Sequence, residues 1–456
     1  MSRVRNNQEQ LKRTLTERHV QMIALGGAIG VGLFYGSSTT IKMAGPAITL
    51  GYILGGLIIF IIMRALGEMA VADPRAGSFS AYAYRYVGPF AGFLTGWNYW
   101  FLWIGAGMAE ITALGIYVNF WFPGVPRWLS ALVALIIMAS INLINVKAFG
   151  EFEFWFAIIK VAAILGMILS GIIIILGIGP GGRPLGFSNL WAHGGFLPNG
   201  ISGLMLSLVM VMFSFGGVEL VGITAGEAQN PERTIPKAVN NVFWRVLIFY
   251  VGAIGVMMAI YPWNEIGSQG SPFVLIFDRI GIPAAATIIN GVVITAALSA
   301  FNSGLFSTGR MLYNLALQNN APKMFAQLSE TGVPRNGVLI SSLIILLVVA
   351  LNYFIPGRVF IIVSAITTFA VVITWTSILI TQLYFRKALS AEQIKQLTFK
   401  MPAHKLLSGF ALLFLGMILV LMYFIPDMRF ALIIGPLWLL LLYISFRMKS
   451  AQAENA

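Results

Sequence analysis

Two glycine-rich stretches lie inside apolar segments: GGAIGVG at 26–32 and GGVELVG at 216–222. Glycine costs about 1 kcal/mol against alanine in a helix interior, so such runs favour a local break. A break frees N–H donors at the start of one half-helix and carbonyl acceptors at the end of the other. The donor end suits a carboxylate. The acceptor end suits an ammonium group or a cation. Two breaks facing one another would hold a zwitterion, of which an amino acid is the obvious one. Close helix packing is the competing explanation, because Gly26 and Gly30, or Gly32 and Gly36, fit GxxxG.

Three ionisable residues sit deep in apolar sequence. Glu110 lies in WIGAGMAEITALG, Glu219 lies in SFGGVELVG, and Lys160 lies in EFEFWFAIIKVAAIL. Lys160 follows Glu151 by nine residues, about 13 Å along a helix. Each would cost a few kcal/mol facing lipid, so each is expected to face the protein interior. There they would couple protons or substrate, or tie helices together. Lys160 has the further option of snorkelling to the interface. Ser299, Asn302 and Ser303, at the end of predicted span eight, either bond their own helix or line a site opposite the first break. Phe213 and Phe215 flank the second break and are placed to close over a ligand. The aromatic stretches GWNYWFLWIG at 96–105 and FEFWF at 152–156 read as interface belts or packing.

These residues must be positioned by membrane helices. The chain is 58% hydrophobic and 10% charged, against about 25% charged in soluble domains. Runs long enough to cross a bilayer, about 20 residues each, recur along nearly the whole chain. Twelve are predicted, at about 20–38, 46–66, 92–120, 128–146, 153–177, 201–224, 243–262, 272–301, 337–355, 359–384, 406–425 and 430–447. The fold class is therefore an all-α integral membrane protein. Residues 1–18 form a tail, 19–447 one transmembrane domain, and 448–456 a second tail. The longest polar loops are 226–242, 318–336 and 386–405.

The net charge of +13 is a topology signal rather than a nucleic-acid footprint. Of 29 Lys and Arg, only Lys42, Arg127, Arg183, Arg279, Arg358 and Arg429 lie in loops after odd-numbered spans. Most of the rest precede the first span, follow even-numbered spans or lie in the C-terminal tail. That bias puts both termini in the cytoplasm. The chain has no cysteine and three histidines, His19, His193 and His404, all at span ends or in loops. No GxxxxGK[ST] or HExxH occurs. ATP-driven pumping, a metal site, a cofactor and enzymatic catalysis are not expected. The two glycine breaks share the pattern GG, four residues, G, at an offset of 190, and fall in the first and sixth spans. They therefore cross in opposite directions, as an inverted repeat does.

Several segments together resemble amino acid permeases of the amino acid–polyamine–organocation superfamily, in the bacterial amino acid transporter branch. They are LKRTLTERHVQMIALGGAIGVGLF, AGPAITLGYILGGLIIFIIMRALGEMAV, GWNYW, FGEFEFWFAIIK, FSFGGVELVGITAGEAQNPERTIPKAV, YPWN, GSPFVLIF and FNSGLFSTGRML. The resemblance covers roughly residues 10–447. It implies a LeuT-like fold, with spans 1–5 and 6–10 as the inverted repeat and spans 11–12 peripheral. It implies a substrate carboxylate on the backbone of the first break, around Gly30, Val31 and Gly32, with Ala28 and Ile29 beside them. The amino group would meet carbonyls of Phe213, Ser214, Phe215 and Gly216. Phe213 falls at the gate position, Lys160 at that of a lysine tied to proton coupling, and Glu219 beside the site. The expected activity is import of a neutral L-amino acid (proline, aromatic, small neutral or histidine-like) by proton symport in a bacterial inner membrane. An amino acid or polyamine exchanger and a γ-aminobutyrate permease are the alternatives. The expected partners are the amino acid, the proton and the bilayer.

Overall fold

A computed structural model of the chain describes residues 16, 21–22, 29–74, 77–144, 146–178, 184, 186–224, 230–266, 271–279 and 283–454. Every regular element among them is helical. Ten helical stretches among them are long and apolar enough to cross a membrane.

The two glycine-rich segments depart from regular α geometry. The first continues from Ile29 into a π turn, Gly32–Gly36, and then α1, Ser37–Ala44. A short turn, Gly45–Ala47, joins α1 to α2, Ile48–Ala72. The second segment ends α6, Gly200–Ser214, and passes through turns before helix resumes at Leu220–Thr224. Gly217 sits there at φ 99°, a conformation that glycine adopts without the clash a Cβ would bring. The earlier part of the first motif, Gly26, Gly27 and Ala28, lies outside the described residues.

Between and beyond these breaks lie α3 (Pro89–Trp121), α4 (Arg127–Ile144), α5 (Val146–Leu176) and α7 (Pro231–Ile260). They are followed by α8 (Pro283–Leu317), α9 (Arg335–Phe354), α10 (Val359–Ala388), α11 (His404–Phe424) and α12 (Ala431–Glu454). Two sequence expectations need correction. The segment 226–242 was expected as a loop, yet α7 begins at Pro231. Proline at a first helical position costs no hydrogen bond. The eighth span was expected over 272–301. Instead Pro272–Arg279 is a separate short helix and α8 runs from Pro283 to Leu317. Ser299, Asn302 and Ser303 therefore lie near the middle of α8 rather than at its end.

Helices α3 and α10 form the centre. The most apolar window of α3 is 78% buried and that of α10 72%, against 17% for the stretch holding α12. Helix α5 lies at the rim, with Phe152, Trp155, Ile159, Leu165 and Leu169 facing outward. Its inward stripe is Glu153, Ala157, Lys160, Ile164 and Met167, all buried. Those steps of three and four residues keep one face of a 3.6-residue helix turned to the core. A rim helix thus delivers an acid and a base to the interior.

Candidate functional site

The two breaks touch. The Ser214 hydroxyl donates to the carbonyls of Gly32, at 2.9 Å, and of Met210, at 2.9 Å. A Cβ built on Gly32 would stand 2.5 Å from Ser214 Cα. Only a residue without a side chain lets the two backbones come this close. Close packing and the meeting of the two breaks are thus one property of Gly32. On the far side of the second break, the Tyr250 hydroxyl from α7 donates to the Ser214 carbonyl at 2.8 Å.

A small, partly enclosed cavity of about 30 Å³ lies at this contact. It is lined by Gly30, Gly32, Glu110, Phe213, Ser214 and Gly216 among the predicted residues. Leu102, Trp103, Ala106, Gly217, Ala300 and Thr367 complete the lining. That volume holds one or two waters, far less than an amino acid. The walls from α3, α8 and α10 are mostly apolar, and Glu110 is the one ionisable residue among them.

The Glu110 carboxylate reaches the first break directly. The Val31 N–H donates to both of its oxygens, at 3.1 and 3.2 Å. A Cβ on Gly30 would collide with the same carboxylate. Lys160 reaches the break from the other side. Its ammonium donates to the Ile29 carbonyl at 3.2 Å and to the Ser299 hydroxyl at 2.9 Å. Ser299 in turn donates to the Glu153 carboxylate at 2.8 and 2.9 Å. Lys160 thereby ties the start of the first break to α8, and through Ser299 to its own helix. Snorkelling does not describe it, since the side chain is fully buried.

Other predicted residues sit nearby without lining the cavity. The Glu219 carboxylate accepts from the Gly217 N–H, at 3.2 and 3.3 Å, and from the Trp375 indole of α10, at 3.2 Å. It braces the second break from behind. Phe215 turns away into an aromatic cluster with Tyr52 and Tyr250, with ring centroids 5.9 and 4.8 Å apart. Asn302 accepts from Asn142 of α4 at 2.7 Å. Ser303 is buried on α8. The carbonyls of Phe213, Ser214 and Phe215 each accept one internal donor, which leaves each a second lone pair.

The stretch 96–105 was expected as an interface belt or packing, yet one of its residues, Trp103, lines the cavity.

 

The tryptophan's place follows from its register on α3. Trp103 and Glu110 are seven residues apart, two helical turns, and so share one face of that helix. Glu153 is a second residue the sequence reading passed over. Its spacing of seven from Lys160 carried the same signal. Thr367 and Trp375, on α10, had no comparable signal in the sequence.

Phe213 caps the cavity edge. Its ring meets Phe360 edge to face, with centroids 6.0 Å apart. Phe360 meets Tyr35 at 4.7 Å, and Tyr35 meets Tyr117 at 6.3 Å. Phe213→Ala is expected to change substrate selectivity and apparent affinity by roughly tenfold, the effect of losing one well-packed aromatic anchor. Competition uptake against a panel of amino acids reads this. An unchanged panel would remove Phe213 from the gate.

The amino acid permease family description matches residues 19–453. The chain is 54% identical to an uncharacterized amino acid permease of Bacillus subtilis, YtnA, over 99% of this chain and 98% of that one. It is 49% identical to the probable threonine/serine transporter YbxG of the same organism, over 96% of this chain and 95% of that one. It is also 49% identical to the aromatic amino acid transport protein AroP of Escherichia coli, over 98% of each.

Proposed function

The chain belongs to the amino acid permease family, and from that premise we propose that it imports a neutral L-amino acid together with a proton. On this reading it works by alternating access in the cytoplasmic membrane, with twelve spans, a LeuT-like inverted repeat and both termini inside. The observation that carries the proposal is the contact of the two breaks at Gly32 and Ser214, with Glu110 and Lys160 on the first of them. The first break offers N–H donors for the substrate carboxylate, and the second offers carbonyls for its amino group.

Beyond Glu110 the cavity lining holds no charge to pair with an acidic or basic side chain. That favours a neutral substrate. Aromatic amino acids, and threonine or serine, enter as first candidates through the relatives' names. Coupling would run through Lys160. Its ammonium holds Ile29 and Ser299 together, and loss of its proton would weaken both bonds and loosen the first break from α8.

The test uses purified protein in liposomes with an inward proton gradient and each labelled amino acid in turn. Uptake of one neutral group that collapses with a protonophore is the expected result. Uptake that ignores the protonophore but requires amino acid inside would make the protein an exchanger and overturn the symport reading.

A further inference from the structure

The seat assigned to the substrate carboxylate is already taken by a side chain. Both oxygens of Glu110 accept from the Val31 N–H, and Glu110 is buried with the cavity beside it. Gly30 leaves open the space that the carboxylate fills, since a Cβ there would strike it. The cavity has room for water and none for a second carboxylate. Two carboxylates on one backbone amide would also repel one another.

We infer that Glu110 is a tethered stand-in for the substrate carboxylate, holding the first break's anion seat while the site is empty and being displaced when the amino acid binds. The inference rests on the proposed function, because it takes the Gly30–Gly32 backbone as the substrate's seat. A carboxylate on the protein's own helix has a high effective concentration at that amide. It satisfies the exposed donor inside the membrane, where an unpaired one is costly. It also sets a threshold that an incoming ligand must exceed. Only a ligand with its own carboxylate replaces what it removes. Glu110 thus selects for the free acid over an amide or ester of the same amino acid.

The experiment is equilibrium binding of labelled phenylalanine and threonine to purified protein in lipid nanodiscs, with and without excess acetate. In Glu110→Ala the stand-in is gone. At least one of the two amino acids is then expected to bind roughly tenfold tighter than to the unsubstituted protein. Acetate is expected to compete with it in the variant and to have little effect without the substitution. A purely structural role for Glu110 would not create sensitivity to acetate. Binding to Glu110→Ala that is equal or weaker, with no response to acetate, overturns the inference. Should that variant not fold, Glu110→Gln decides: its neutral amide is a poorer stand-in of the same size, so tighter binding supports the inference and equal or weaker binding overturns it. If neither amino acid binds to any of the proteins, while other amino acids also fail in the liposome assay, the functional reading itself falls.

Discussion

Gly32→Leu is expected to abolish both substrate binding and uptake. The first atom of the new side chain would stand 2.5 Å from the Cα of Ser214 and 3.1 Å from its Cβ. Backbone on the facing break cannot swing aside as a flexible side chain would. Overpacking in a closed core costs about 1–3 kcal/mol for a few methylenes, and here the strain falls on the contact that builds the site. The Ser214–Gly32 hydrogen bond would be lost with it. Gly32→Ala is the milder companion, expected to retain the fold and bind roughly tenfold or more weakly. Size-exclusion behaviour, equilibrium binding and liposome uptake together separate a misfolded protein from an intact one with a blocked seat. A folded Gly32→Leu protein with unchanged affinity would show that the carboxylate does not sit here.

Lys160→Ala is expected to abolish uphill uptake under a proton gradient while leaving measurable binding. The substitution removes the bonds to Ile29 and Ser299. It also leaves the Glu153 carboxylate buried without the cation that shares Ser299 with it. Removing one partner of a buried charged pair costs about 3–5 kcal/mol, so lost activity alone would be ambiguous. The double variant Lys160→Met with Glu153→Met removes both charges. It is expected to recover thermal stability relative to Lys160→Ala and still fail at gradient-driven uptake. Proton-dependent accumulation that survives in the double variant would assign Lys160 a structural role only.

The helices were legible because lipid demands long apolar runs, and because charge is cheap only outside them. Their ends were less so. Helix α8 starts at Pro283, within an apolar stretch that hydropathy alone reads as continuous. The start of α7 at Pro231 carries polar residues because it lies beyond the most apolar part of that helix. In the site, the glycine pattern pointed to the two breaks and the family resemblance to Gly30, Gly32, Ser214 and Gly216 within them, which the cavity brings together. Residue type correctly marked Lys160 and Glu110 as inward-facing. It did not show that Glu110 would lie on the Val31 amide, since that meeting joins residues 79 positions apart. Phe215 packs against Tyr52 and Tyr250 rather than lining the cavity for a related reason. Break geometry, rather than distance from the glycines, decides which of two neighbouring aromatics faces the cavity.

The cavity of about 30 Å³ also bears on how measured affinities are to be read. A conformation that admits one or two waters cannot be the one that first accepts an amino acid. Binding must then draw on a more open state, and the apparent dissociation constant is the intrinsic one divided by the fraction of molecules in that state. Bonds that brace a break from outside the cavity, such as Tyr250 to Ser214, lower that fraction without touching the ligand. Two relatives with identical binding residues can therefore differ widely in affinity through residues that never meet the substrate.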